Sequence, residues 1–223
     1  MWIKICGNTT LEDAQLAVEA GADAVGFVFA ESPRRVSVTQ VSAMTPHLPD
    51  ALEKYGVFVN ASLEEIVRTV EESGLTGVQL HATQDSSLPS KLREHFGAEL
   101  RILRVIHYAQ DLQTQLNTLR QDGAIDAILI DSRSATAVGG TGTRFDWHAA
   151  RHNFLDSASH LRMIAAGGLN PENVAEAIRT LQPWGVDVSS GVESVPGKKD
   201  PARVKASVST AKTVAHEIST ACK

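Results

Sequence analysis

With only two cysteines in 223 residues, Cys6 and Cys222, far apart in sequence, the chain has no disulfide framework and reads as cytoplasmic. No stretch approaches the ~18 apolar residues of a membrane span. The N-terminus also lacks the basic start and apolar run of a signal peptide, so no export is expected. Positive charge is in short supply: 21 Lys and Arg stand against 26 Asp and Glu, for a net charge of -5. That balance offers no global attraction to nucleic acid or an acidic membrane, and any anionic ligand must be held by local groups. No HExxH pattern or paired-cysteine spacing is present, so no metal is expected. Nor is there a Walker loop or a Rossmann fingerprint, which disfavours nucleotide binding. No linker or low-complexity tract interrupts the chain, so residues 1–223 are read as a single domain.

What is there is a rhythm. Short β-rich runs recur at Ile3–Cys6, Ala24–Phe29, Tyr55–Val59, Gly77–Leu80, Leu100–Ile106, Ala127–Ile130, Leu161–Ala165 and Val186–Val188. Between them lie helix starts: Thr10 with Glu12 and Asp13, Ser62 with Glu64 and Glu65, and Asn170-Pro171-Glu172. Alternating β and α elements with short connections predict a parallel sheet. Eight such units in little over 200 residues predict a closed (β/α)8 TIM barrel, with a doubly wound open sheet as the alternative.

A barrel carries its chemistry at the C-terminal strand ends. Cys6 ends the first run, on the same strand face as Lys4 and about 6 to 7 Å from it. A neighbouring cation lowers a thiol pKa and raises the reactive thiolate fraction, so Cys6 is expected to act as a base. A buried, inert cysteine is the alternative. Asp131 shares a face with Leu129 and Ala127 and is expected at the barrel mouth, where partial desolvation would raise its pKa and suit a general acid; the alternative is an aspartate that caps the next turn. Gly167-Gly168, leading through Leu169-Asn170-Pro171 to a helix, and Ser190-Gly191 after the eighth run offer backbone N–H groups to a phosphate. Arg34 offers a planar fork for a carboxylate, as does its neighbour Arg35. His81 ends the fourth run. Gly139-Gly140-Thr141-Gly142 sits in a long connection able to close over a ligand.

Together these segments resemble the phosphoribosylanthranilate isomerase family of tryptophan biosynthesis. The likeness runs in order through Lys4-Ile5-Cys6-Gly7, Asp23–Phe29, Ser32-Pro33-Arg34, Gly56–Asn60, Val78-Gln79-Leu80-His81, Gly139–Gly142 and Gly185–Glu193. It implies a soluble TIM-barrel enzyme that needs no cofactor or metal. Its partner would be a small phosphorylated sugar–anthranilate substrate, rearranged by Amadori chemistry to 1-(2-carboxyphenylamino)-1-deoxyribulose 5-phosphate. It also implies Cys6 as general base, Asp131 as general acid, Arg34 on the anthranilate carboxylate, the two glycine turns on the phosphate, and Asp187 or His81 near the sugar hydroxyls or the reacting centre. Asn8, where an aliphatic residue is common, and Arg104, where lysine is frequent, depart from the pattern. The related histidine-pathway isomerase uses two aspartates, whereas here the first strand ends in Cys6. A noncatalytic phosphosugar-binding barrel is the other alternative.

Overall fold

A computed structural model describes residues 1–81, 85–107, 112–119, 122–131, 151 and 161–221. The Gly139–Gly142 loop and most of the chain between Asp131 and Leu161 lie outside the described residues. Eight strands run β1 Trp2–Ile5, β2 Ala24–Val28, β3 Glu53–Phe58, β4 Gly77–Leu80, β5 Arg101–His107, β6 Ala127–Asp131, β7 Arg162–Ala166 and β8 Gly185–Val188. All neighbours are parallel, and β8 pairs back onto β1 with Lys4 opposite Asp187, so the sheet closes. Closure decides against the open doubly wound sheet. Among the described residues the α-helices, numbered in chain order, are α1 Leu11–Ala20, α2 Val38–Met44, α3 Leu63–Ser73, α4 Leu88–Phe96, α5 Leu112–Leu119, α6 Val174–Leu181 and α7 Pro201–Ala221.

Thr10 and Ser62 cap α1 and α3 as expected, each accepting from the backbone N–H three residues on, and each such cap stabilises by about 1 kcal/mol. The third expected start is shifted. Asn170-Pro171-Glu172 forms a turn in which the Asn170 side chain accepts from the Glu172 and Asn173 N–H groups, and α6 begins only at Val174.

Strand alternation sorts side chains into two cores. Ile3, Ile5, Val25, Phe27 and their counterparts face outward against the helices, while Ala24, Tyr55, Leu103, Ala127, Leu129 and Ile164 fill the barrel. The N-terminal end is plugged by aromatics: Trp2 stacks on Trp184 at 5.3 Å and meets Tyr55 edge-on, and the Glu53 carboxylate accepts from both Trp2 Nε1 and Tyr55 OH. Room for the plug comes from a glycine, because a Cβ on Gly77 would lie 2.3 Å from Tyr55 Cε1. Gly77→Val is therefore expected to cost about 1–3 kcal/mol by overpacking. In a thermal melt that is a fall of about 2–4 °C per kcal/mol, and an unchanged midpoint would show that the plug yields freely.

The plug seals one end of the barrel and leaves the other for chemistry. There, a two-stranded hairpin, β9 Glu193–Val195 and β10 Lys198–Lys199, follows the short turn Ser190–Val192.

Candidate active site

Cys6 lies one residue past β1, where its N–H donates to Val188 O at 2.8 Å. Gly7 and Asn8 both donate to Gly26 O, and the buried Asn8 side chain donates to Ile5 O and Gly26 O. The polar Asn8 thus clamps the end of β1 to β2 in place of an aliphatic contact. A Cβ on Gly26 would stand 2.7 Å from Cys6 Sγ and 3.0 Å from Lys4 Cε. That glycine leaves the space the thiol and ammonium occupy, and both side chains point into the barrel as alternation requires.

Lys4 is fully buried. Its Nζ donates to Gln79 Oε1 at 2.8 Å and to Asp187 Oδ1 at 2.9 Å. Burial alone would lower its pKa, but the Asp187 carboxylate, helped by Cys6, outweighs this and holds the ammonium above the ordinary lysine value. The thiol corrects the sequence reading. Burial pushes Cys6 above the usual thiol value, Asp187 adds to the rise, and the opposing pull of Lys4 and Lys199 is too weak to reverse it. The neighbouring cation is real; the low thiol pKa expected from it is not, because burial of the thiol outweighs the pull of Lys4 and the Asp187 carboxylate adds to the rise.

Cys6, Arg34, His81, Asp131, Gly167, Gly168, Asp187 and Ser190 all line one cavity of about 280 Å³ at the C-terminal mouth. Asp131 is the last residue of β6, inside the strand rather than just past it, and is 7% exposed. His81 is anchored by its N–H to Phe58 O. Gly167 and Gly168 take left-handed φ values of 86° and 67°, and the loop after them is stitched by Asn173, whose Nδ2 donates to Gly168 O. Gly191 is off the cavity wall. A Cβ there would fall 1.9 Å from Leu169 O, so its role is to let the β8 turn press against the β7 loop.

Of the two arginines, Arg34 faces the cavity and Arg35 is exposed. The Arg34 fork is already half engaged: Nε and Nη2 donate to the Glu193 carboxylate at 2.7 and 2.6 Å. This bond holds the guanidinium above its usual value and, with Lys199, holds Glu193 below the usual carboxylate range despite burial. Sequence reasoning passed over Gln79, Glu193 and Lys199. Gln79 was detectable, being two residues before His81 on the inward face of β4; Lys199, 193 positions beyond Cys6, carried no local signal. Among the described residues no group of three or more His, Cys, Asp or Glu side chains is placed to hold a metal ion, and no helix is long and apolar enough to cross a membrane.

A closed parallel barrel with a thiol, a carboxyl and two glycine turns around one mouth defines the class as a (β/α)8-barrel enzyme. Comparison with known proteins narrows it. The profile of N-(5'-phosphoribosyl)anthranilate isomerase matches residues 3–210. The enzyme of that name from Citrifermentans bemidjiense is 41% identical over 214 residues, covering 96% of this chain and 98% of its own; that of Rubrobacter xylanophilus is also 41% identical, over 212 residues, covering 95% and 98%. The crystal structure of phosphoribosylanthranilate isomerase from Thermotoga maritima superposes with a TM-score of 0.81 at 36% identity, covering 96% of this chain and 99% of that one. A second structure, of phosphoribosylanthranilate isomerase in complex with reduced 1-(o-carboxyphenylamino)-1-deoxyribulose 5-phosphate, gives 0.80 at 36% identity with the same coverage. The chain belongs to the N-(5'-phosphoribosyl)anthranilate isomerase family, whose members are aldose–ketose isomerases.

Proposed function

We propose that this chain, as one barrel over residues 1–223 and in the cytoplasm, performs the Amadori rearrangement of N-(5'-phosphoribosyl)anthranilate in tryptophan biosynthesis, with Cys6 as general base and Asp131 as general acid. The observation that carries the reading is the shared cavity: these two groups line it together with an arginine fork and the glycine turns after β7 and β8. A related structure holds a reduced product that bears a carboxylate on its ring and a phosphate on its sugar. The cavity has a matching group for each.

In this mechanism Asp131 gives its proton to the furanose ring oxygen, and the C1–O bond breaks to leave an open-chain Schiff base. Cys6, as thiolate, then takes the proton from C2, forming the enolamine. That species becomes the ketone as C1 gains a proton and the C2 hydroxyl gives one up; the two protons lost from C2 and its hydroxyl match the two gained at C1 and at the former ring oxygen, so the isomerisation is balanced with no external reductant or oxidant. Arg34 receives the anthranilate carboxylate, the Gly167-Gly168 and Ser190 backbones receive the phosphate while Gly191 lets the two turns press together, and Asp187 or His81 contacts the sugar hydroxyls or the reacting centre. Lys4 supplies positive charge beneath the thiol.

The test is direct. Phosphoribosylanthranilate generated in place from anthranilate and phosphoribosyl pyrophosphate by a coupling transferase should lose its fluorescence rapidly on addition of this protein without added metal. Folded protein that leaves the signal standing would overturn the reading. The phosphate assignment has its own check: Gly191→Ala forces the β7 and β8 turns apart, so its affinity for inorganic phosphate is expected to fall about tenfold or more, the scale of one lost charge-assisted hydrogen bond. Equal phosphate affinity in both proteins would remove these turns from the site.

A further inference from the structure

Arg34, Glu193 and Lys199 form a chain of charges at the cavity wall, and the chain does not balance. The Arg34 side chain is 20% exposed, Glu193 4% and Lys199 0%. Two cations share one carboxylate. Lys199 Nζ spends its donors on Cys6 O at 2.6 Å, Glu193 Oε1 at 3.0 Å and Ser189 O at 3.3 Å. Glu193 in turn takes Nε and one hydrogen of Nη2 from Arg34. A guanidinium carries five N–H donors, so a second fork remains, made of Nη1 and the other Nη2 hydrogen. The arm bearing it is fixed, because Arg34 Cδ packs on Gly7, where a Cβ would come within 2.6 Å of it and φ is 75°. Deeper in the barrel, Lys4 and Asp187 cancel each other, and the acidic Glu31 on the cavity wall is exposed to water.

If Glu193 faced Arg34 alone, the pair would be neutral and the arginine would have little charge to offer a ligand. Lys199 alters that by drawing on the same carboxylate, leaving one net positive charge at the wall. Its backbone is anchored too, with its N–H donated to Asp13 Oδ1 and the neighbouring Gly197 O accepting from Thr9 Oγ1.

We propose that Lys199 is a specificity-determining positioning residue: by sharing Glu193 it keeps Arg34 charged toward the cavity with its second fork presented, and so selects substrates that carry a carboxylate on the ring attached to the sugar. It acts through Glu193 and Arg34 and does not touch the substrate. The inference rests on the assignment of Arg34 to the anthranilate carboxylate.

The experiment compares two ligands that share the sugar phosphate: reduced 1-(o-carboxyphenylamino)-1-deoxyribulose 5-phosphate and its phenylamino counterpart without the carboxylate. Dissociation constants for both are measured by calorimetry with the wild type, Lys199→Met, Lys199→Gln, Lys199→Arg and Arg34→Met. Lys199→Gln keeps a donor toward the Cys6 and Ser189 carbonyls while removing the charge, so it covers the case in which the methionine variant does not fold. Both neutral variants are expected to lower the preference for the carboxylate ligand about tenfold, as one unit charge does at about 10 Å in a partly screened site. Lys199→Arg should restore most of it. A lysine that merely anchored the hairpin would weaken both ligands alike, and an unchanged ratio in Lys199→Gln overturns the proposal. Arg34→Met separates the two layers: if it keeps the preference, the Arg34 assignment fails, whereas a preference lost there and kept in the Lys199 variants defeats the Lys199 role alone.

Discussion

Cys6→Ser is expected to lower kcat by about a thousandfold while leaving affinity for the reduced product nearly unchanged. The substitution is almost isosteric and removes the acid–base group alone, and a positioned base contributes on the order of 100- to 10,000-fold. The loss is placed no lower than the middle of that range because a serine hydroxyl ionises far less readily than even a thiol pushed up by burial. The pH profile follows from the same shift. Since the thiol sits above its ordinary value, the C2–H cleavage step, by which point Asp131 has already given up its proton, should keep quickening with pH through and beyond the normal thiol range near 8.5. Stability runs the other way. A group whose folded pKa exceeds its unfolded value stabilises fully below the unfolded value and loses that contribution as pH rises toward the folded one. C2–H cleavage should therefore grow faster while the protein grows less stable over the same alkaline window. A Cys6→Ser enzyme with wild-type turnover would remove the thiol from the mechanism.

Lys4→Met should be the most destabilising of the substitutions considered, by about 3–5 kcal/mol, because it leaves the Asp187 carboxylate buried without its partner. In a chain of this size, thermal unfolding should fall by about 2–4 °C for each kcal/mol lost. The loss is measurable at neutral pH, since an ammonium held above its ordinary value stabilises fully below about 10.4 and only fades above it. The substitution also removes the cation that pulls the thiol down, so the rising limb of the pH profile should move to still higher pH. Stability and activity can be separated by Lys4→Met with Asp187→Leu. Replacing the whole pair with apolar groups is expected to recover much of the stability, as happens when buried ion pairs are exchanged for hydrophobic contacts, and none of the activity. A melt of Lys4→Met matching the wild type would contradict the energetic role given to the pair.

Much of this was legible along the chain. β-Branched runs separated by capped helices marked all eight strands, since a strand buried on both faces must be apolar almost throughout. Strand ends were less sharp: β3 starts two residues before Tyr55, and Cys6 falls just outside β1 while Asp131 falls just inside β6. A one-residue boundary depends on the partner strand's hydrogen bonds, which local sequence does not encode. Alternation correctly put Lys4 and Cys6 on one face, yet misjudged the thiol, because the outcome depends on burial and on Asp187 arriving from β8. The choice between Arg34 and Arg35 rested on position alone until Glu193 was seen to hold Arg34. Lys199 was illegible for the same reason: its partners are the ends of β1 and β8 and a residue six positions away, assembled only when the barrel closes.

The division of labour between thiol and carboxyl is tested most directly with substrate deuterated at C2. Turnover of the deuterated and ordinary substrates is compared in Cys6→Ser and Asp131→Asn. If Cys6 breaks the C2–H bond and Asp131 opens the ring, the residual turnover of Cys6→Ser is limited by C2–H cleavage and is slowed clearly by deuterium. That of Asp131→Asn is limited by ring opening and is slowed hardly at all. The reverse pattern, or an equal isotope effect in both variants, would contradict the assignment.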